Sequence, residues 1–98
     1  MNSKICEAIE NKKVIEFFYK GYKCIGEPHC YGIHKYTSNE VLSAYQVGGY
    51  SFSGNASSWK LYIIPEMSGI VITDNQFESL RPGYKRNDSR MSRIFCQL

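Results

Sequence analysis

Two sets of side chains in this 98-residue chain could do chemistry. Cys30 directly follows His29, a thiol beside a base, and Cys24, His29, Cys30 and His34 together offer four metal ligands in one short segment. Neighbours in an extended strand point to opposite faces, so His29 and Cys30 are poorly placed to share a hydrogen bond. His29 and His34 differ by an odd number of positions and would also face opposite sides, although Gly32 between them could turn the strand. The four cysteines contain no C-x-x-C, so neither a zinc ribbon nor a vicinal redox pair is expected. No pair of carboxylates stands out, and no glycine-rich phosphate loop opens a helix. The residues offer no catalytic set, and no metal or cofactor is expected.

The second set is basic. In the stretch 77–93 (FESLRPGYKRNDSRMSR), Arg81, Lys85, Arg86, Arg90 and Arg93 stand against Glu78 and Asp88. Residues 1–80 carry seven Lys/Arg and eight Asp/Glu, whereas the last eighteen carry five and one, so that end holds the whole +3 of the chain. Such asymmetry points to an anionic partner. Pro82-Gly83 places a turn in the run, and Tyr84 adds an aromatic face. Arginine gives bidentate contacts to phosphate, and tyrosine rings stack on bases at roughly 1–3 kcal/mol each. Leu80, Tyr84, Met91, Ile94, Phe95 and Leu98 supply apolar anchors, the last four as a short helical face. The stretch is therefore expected to dock on the body with its guanidinium groups turned outward.

The elements that must position these groups read as one mainly β domain with a single N-terminal α-helix. Asn2 or Ser3 caps a helix to about Asn11, with Ile5, Ala8 and Ile9 as its apolar stripe. Val14–Tyr19 alternates Ile15, Phe17 and Tyr19 against Val14, Glu16 and Phe18. Lys20-Gly21 turns into a long segment from Lys23 to about Tyr36, which Gly26, Pro28 and Gly32 mark as bulged or bent. Val41–Val47 is a third strand, with Leu42, Ala44 and Gln46 on one face and Val41, Ser43 and Tyr45 on the other. Gly48–Ser58 is a Gly/Ser-rich connection, and Trp59–Ile64 a fourth strand ended by Pro65. Trp59 is read there as core rather than as a ligand shelf. Ile70–Thr73 is a fifth, and Asp74 caps a single turn through Phe77. With the helix at 3–11, strands at about 13–73 and the basic stretch at 77–98, this is one domain without repeats. It is expected to form a small five-stranded barrel.

No apolar run approaches the ~20 residues that span a bilayer. The start of the chain lacks a signal-peptide segment, so a cytoplasmic setting with Cys6, Cys24, Cys30 and Cys96 as reduced thiols is expected.

The ordered set Ala8-Ile9, Val14-Ile15-x-Phe17-x-Tyr19, Gly26-Glu27-Pro28-His29, Leu42-x-Ala44-Tyr45 and Trp59-x-Leu61-Tyr62 resembles a compact, stand-alone WYL domain over roughly residues 5–80. The resemblance implies a helix packed on an SH3/Sm-like β-barrel. It also implies the role of such domains as bacterial effector-sensing modules for nucleotides or nucleic-acid fragments, usually beside a DNA-binding domain. Where the family's Trp-Tyr-Leu is expected, this chain reads Glu40-Val41-Leu42, so only the Leu carries over. With no room for a helix-turn-helix domain, a role in transcription regulation would run through a regulatory protein.

These readings converge on a non-catalytic, cytoplasmic sensing or binding module. Its expected ligand is an anionic nucleotide-like molecule or a short single-stranded nucleic acid. The expected contacts are Arg81, Tyr84, Lys85 and Arg86 from the basic stretch, Tyr45 and Gln46 at the end of the third strand, and Tyr31 and His29 near the bend, the last donating when protonated. The alternative is a protein–protein assembly module, its basic C-terminus docking an acidic partner or its strand edges pairing into a homo-oligomer.

Overall fold

The structure is a computed structural model that describes residues 2–50 and 58–98; most of the Gly/Ser-rich connection lies outside the described residues. Helix α1 (Ser3–Glu10) starts where the Asn2 side chain accepts from the Lys4 and Ile5 amides, satisfying two otherwise orphaned donors. Its Ile5, Cys6, Ala8 and Ile9 face inward. Eight residues form no stable helix alone, so α1 exists because that stripe is buried on a sheet.

The sheet is antiparallel and has six strands among the described residues: β1 (Lys13–Tyr19), β2 (Tyr22–His34), β3 (Glu40–Gly49), β4 (Ser58–Ile63), β5 (Met67–Gln76) and β6 (Met91–Gln97). β1 and β2 are joined by a two-residue turn in which Lys20 (φ 52°) and Gly21 (φ 86°) are both left-handed, the twist-compatible hairpin geometry. A 3-10 turn, Ile64–Glu66, with Pro65 inside it, links β4 to β5. The order is β4-β3-β2-β1-β5, and β4 and β5 at its ends do not pair, so the sheet is not closed into a barrel. No helix among the described residues is long and apolar enough to cross a membrane.

β2 organises the rest. One edge pairs with β3 along its length; the other pairs with β1 as far as Gly26 and with β6 from Cys30 onward. Pro28, which has no N–H to donate, sits where one neighbour gives way to the other. Bulges fall between Ile25 and Gly26 and between Pro28 and Cys30, within the segment expected to bend. Gly32 is required by close approach: a Cβ there would lie 2.1 Å from the Arg93 carbonyl oxygen of β6.

Three readings change. Met91–Gln97 is a sixth strand, not a helical face, because the β2 edge beyond Pro28 offers it a ladder from Cys30 to His34. Two register shifts against β2 break its alternation and hide the strand period in the sequence. β5 extends to Gln76, so Asp74 lies in a strand and caps no turn. Cys6 and Cys96 form a disulfide, with Cα atoms 5.7 Å apart, and only Cys24 and Cys30 are free thiols.

The two faces of the sheet carry separate apolar clusters. The main core joins α1 to Ile15, Phe17, Tyr19, Cys24, Tyr31, Leu42, Ala44, Tyr62 and Met67. The other gathers Cys30, Val41 and Met91 with Leu61, Ile63, Tyr84 and Ile94. Strand alternation therefore sends Tyr62 into the main core, edge-on to Phe17 and Tyr19 with ring centroids 4.9 Å away in both cases. Trp59 and Leu61 go to the opposite face. Phe17 is 1% exposed, so Phe17→Ala should lower the unfolding free energy by about 3–5 kcal/mol, read from urea denaturation midpoints.

Candidate ligand-binding cleft

Residues 77–90 cross the second face of the sheet as a strap. The anchor is the Glu27 carboxylate on β2, whose residue is only 5% exposed. An ionised carboxylate so buried needs a cation and donors for its lone pairs. Arg81 supplies both: its Nε and Nη2 donate to the two Glu27 oxygens at 2.7 and 3.0 Å, and its guanidinium stacks over the Tyr45 ring at 4.7 Å. That pairing raises the Arg81 pKa further above its ordinary value.

His29 completes the anchor. It is fully buried, and its Nδ1 lies 2.8 Å from the Glu27 carbonyl oxygen, which can only accept. Nδ1 therefore carries the proton, leaving Nε2 to accept the Arg81 amide at 3.3 Å. The ring is enclosed by Trp59, Phe77 and Tyr84 with centroids 4.7, 5.4 and 5.1 Å away. Burial lowers its pKa, outweighing the opposing pull of Glu27. His29 is thus a neutral, two-bond spacer, not the protonated donor anticipated from the sequence.

From this anchor the strap is aligned bond by bond. The indole Nε1 of Trp59 donates to the Pro82 carbonyl at 2.8 Å. Gly83 turns at φ 90° so close beneath that a Cβ would sit 3.2 Å from that nitrogen. Tyr84 then stacks on Trp59 (centroids 5.9 Å, planes 25° apart) and donates its hydroxyl to the Leu98 carbonyl at 3.1 Å. Burial pushes the Tyr84 phenol up to about 12, so it remains a donor at neutral pH.

Between strap and sheet lies a cleft of about 380 Å³, lined by Ser43, Trp59, Lys60 and Leu61 from β3 and β4 and by Gly83, Tyr84, Lys85, Asp88, Ser89 and Arg90 from the strap. Volumes of this order suit small ligands. The Ser43 residue is 4% exposed, and its hydroxyl has no hydrogen-bond partner among the described residues. Lys85 is exposed and likewise lacks an ion-pair or hydrogen-bond partner among them. Arg90 and Asp88 form a bidentate pair, Nη2 to Oδ2 at 2.6 Å and Nε to Oδ1 at 3.0 Å, which holds the Asp88 carboxyl below its usual range. No protein-family model, curated protein or solved structure matches the chain.

Of the residues anticipated as ligand contacts, Tyr84 and Lys85 line the cleft. Arg81 and Tyr45 are not among the lining residues, and Arg81, its side chain 40% exposed, is paired with Glu27. Arg86 donates from Nε to the Leu98 carbonyl at 3.2 Å. Gln46 is 1% exposed and donates to the Gly48 and Tyr50 carbonyls at 2.9 and 2.7 Å. Tyr31 belongs to the main core, where its hydroxyl donates to Glu40 and accepts the Asn2 amide. Trp59, Ser43, Ser89 and the Asp88–Arg90 pair were missed. Only the last, with opposite charges two residues apart, carried a local signal.

The bulge at Pro28–Cys30 brings both His29 and Cys30 towards Tyr84, so strict alternation fails there. Yet the Cys30 thiol points to Met91 Sδ at 3.5 Å, and burial raises its pKa to about 11. Cys24 packs in the main core, away from that cluster. No group of three or more potential metal-binding His, Cys, Asp or Glu side chains occurs among the described residues.

Two outcomes follow. Arg81→Ala leaves a buried acceptor without its donors and should cost about 1–3 kcal/mol. A double-mutant cycle with Glu27→Gln should show coupling well above the ~0.5 kcal/mol expected of independent sites. Because the folded pKa of His29 is lowered, unfolded chains take up its proton first. The stability it supports is complete above pH 6.5 and declines as pH falls through 6.5 towards the lower folded value. Asp88 acts only below its own ordinary value of 3.8, a separate window. Urea midpoints measured across that interval should fall with pH in the wild type, and His29→Gln should flatten the slope.

Proposed function

We propose that this chain is a non-catalytic binding module whose cleft takes an anionic, nucleotide-like ligand. The observation that carries the reading is the pairing of stacked aromatic rings, Trp59 and Tyr84, with an exposed Lys85, unengaged among the described residues, on the same cleft. A planar base lies against the aromatic wall, the Ser43 hydroxyl meets a polar group at the floor, and Lys85 meets the phosphate. Lys60, Lys85 and Arg90 against Asp88 leave the lining with an excess of positive charge. A short single-stranded nucleic acid is the larger form of the same ligand chemistry.

The WYL-type reading is supported by the helix followed by β1–β5, by β5 lying beside β1, and by the 3-10 turn before β5, with the open sheet standing in place of the closed SH3/Sm-like barrel. In that reading β6 and the strap are additions that build the cleft, and a regulatory protein receives the signal. One observation favours a second reading, assembly with an acidic partner or another copy: β4 and β5 are ends of the strand order with no strand beyond them among the described residues. Of the basic stretch, Lys85, Arg86, Arg90 and Arg93 are exposed, Arg90 while paired with Asp88.

The deciding measurement is calorimetric binding of mononucleotides, cyclic dinucleotides and short oligonucleotides at matched salt. Lys85→Ala, an exposed change with about ±0.5 kcal/mol effect on stability, should weaken binding by about tenfold to a hundredfold, as expected for one charged hydrogen bond. A steep loss of affinity with salt should accompany oligonucleotide binding. Absence of binding to all three, or equal binding by Lys85→Ala, would remove the cleft reading and leave assembly.

A further inference from the structure

The cleft wall depends on the far end of the chain. Tyr84 and Arg86 both donate to the Leu98 carbonyl, and the Leu98 amide returns a bond to the His29 carbonyl at 2.9 Å. Leu98 lies two residues past Cys96, which is bonded to Cys6 of α1 across a separation of 90 residues. β6 itself is paired to β2 through a ladder with two irregularities. We propose that the Cys6–Cys96 bridge is a redox-set tie: closed, it fixes the end of β6 and with it the strap wall of the cleft; open, it lets that wall loosen.

Selectivity is built into the placement of the four cysteines. Cys24 and Cys30 are 2% and 0% exposed and sit in the two apolar clusters. Burial raises both thiol pKa values, that of Cys30 to about 11, so neither supplies thiolate at neutral pH. Cys96 is only half-buried and is the accessible member of the pair. The reaction is thiol–disulfide exchange with a small-molecule disulfide such as oxidised glutathione. The Cys96 thiolate attacks one sulfur and expels the first glutathione thiolate. Cys6 then attacks the Cys96 sulfur of the mixed disulfide and expels the second. The protein loses two electrons and two protons, and one disulfide becomes two thiols.

A dependence of ligand affinity on this tie rests on the binding reading above; the test does not. The full chain is equilibrated in glutathione buffers from fully reducing to fully oxidising. Thiols are counted in denaturant, and amide exchange is followed by mass spectrometry. The oxidised protein should show two reactive thiols and the reduced protein four, with the sheet retained in both by circular dichroism. Amides of residues 84–86 and 94–98 should exchange at least about tenfold faster in the reduced form. Acrylamide should quench Trp59, the single tryptophan, more strongly in that form. Cys6→Ala/Cys96→Ala, with two thiols in every buffer, should show the exchange and quenching of the reduced form throughout. Four thiols after full oxidation, or exchange at 84–86 that ignores the thiol count, would overturn the proposal. So would loss of the whole sheet on reduction of the wild type, which would make the bridge a folding staple instead of a tie on the cleft.

Discussion

A carboxylate beneath the strap sets the terms for one face of this molecule. Glu27 emerges from the bulged middle of β2, where the strand changes partners and where solvent is excluded by Pro28, His29 and the segment above. Left alone there, its charge would be prohibitively expensive. The guanidinium that answers it comes from 54 positions later. Once Arg81 is fixed, the backbone next to it is fixed as well: its amide meets His29, Pro82 meets the indole, and Gly83 and Tyr84 follow at set distances. The cleft is a by-product of satisfying one buried anion.

This also revises what a basic run means. The formal charge of residues 77–93 counts every arginine equally, yet Arg81 and Arg90 are engaged by Glu27 and Asp88, and Arg93 lies over Phe95 at 5.2 Å. With Arg86 donating to the Leu98 carbonyl, all four arginines expected to turn outward have partners within the fold. A cation unmatched among the described residues, such as Lys85, is chemically better placed to meet an external anion than a cation already matched.

Legibility in the sequence followed the range of the physics. The helix, its cap and its stripe were readable because they rest on local spacing, and so was the Lys20-Gly21 hairpin. The division of Leu42 and Ala44 from Val41 between the two faces was readable because β3 keeps an unbroken register against β4 from Val41 to Gln46, and with it a period of two. β6 was not, since bulges scramble its period and its ladder is provided by a strand sixty positions earlier. Nor does any spacing rule link Cys6 to Cys96. The side of the sheet taken by Trp59 was undetermined, because apolar residues line both faces of β4 and only the strap shows which of them stays reachable.

The change of partner along β2 bears on how the chain assembles. The β1–β2 hairpin and the β2–β3–β4 meander close over short stretches of sequence, whereas β6 must find an edge already prepared by those strands, and the strap must find Glu27 on it. Contacts of long sequence separation carry the larger loop-closure penalty and form late. The carbonyl that holds Tyr84 and Arg86 comes with this last strand, so the wall of the cleft forms only once β6 has found its edge.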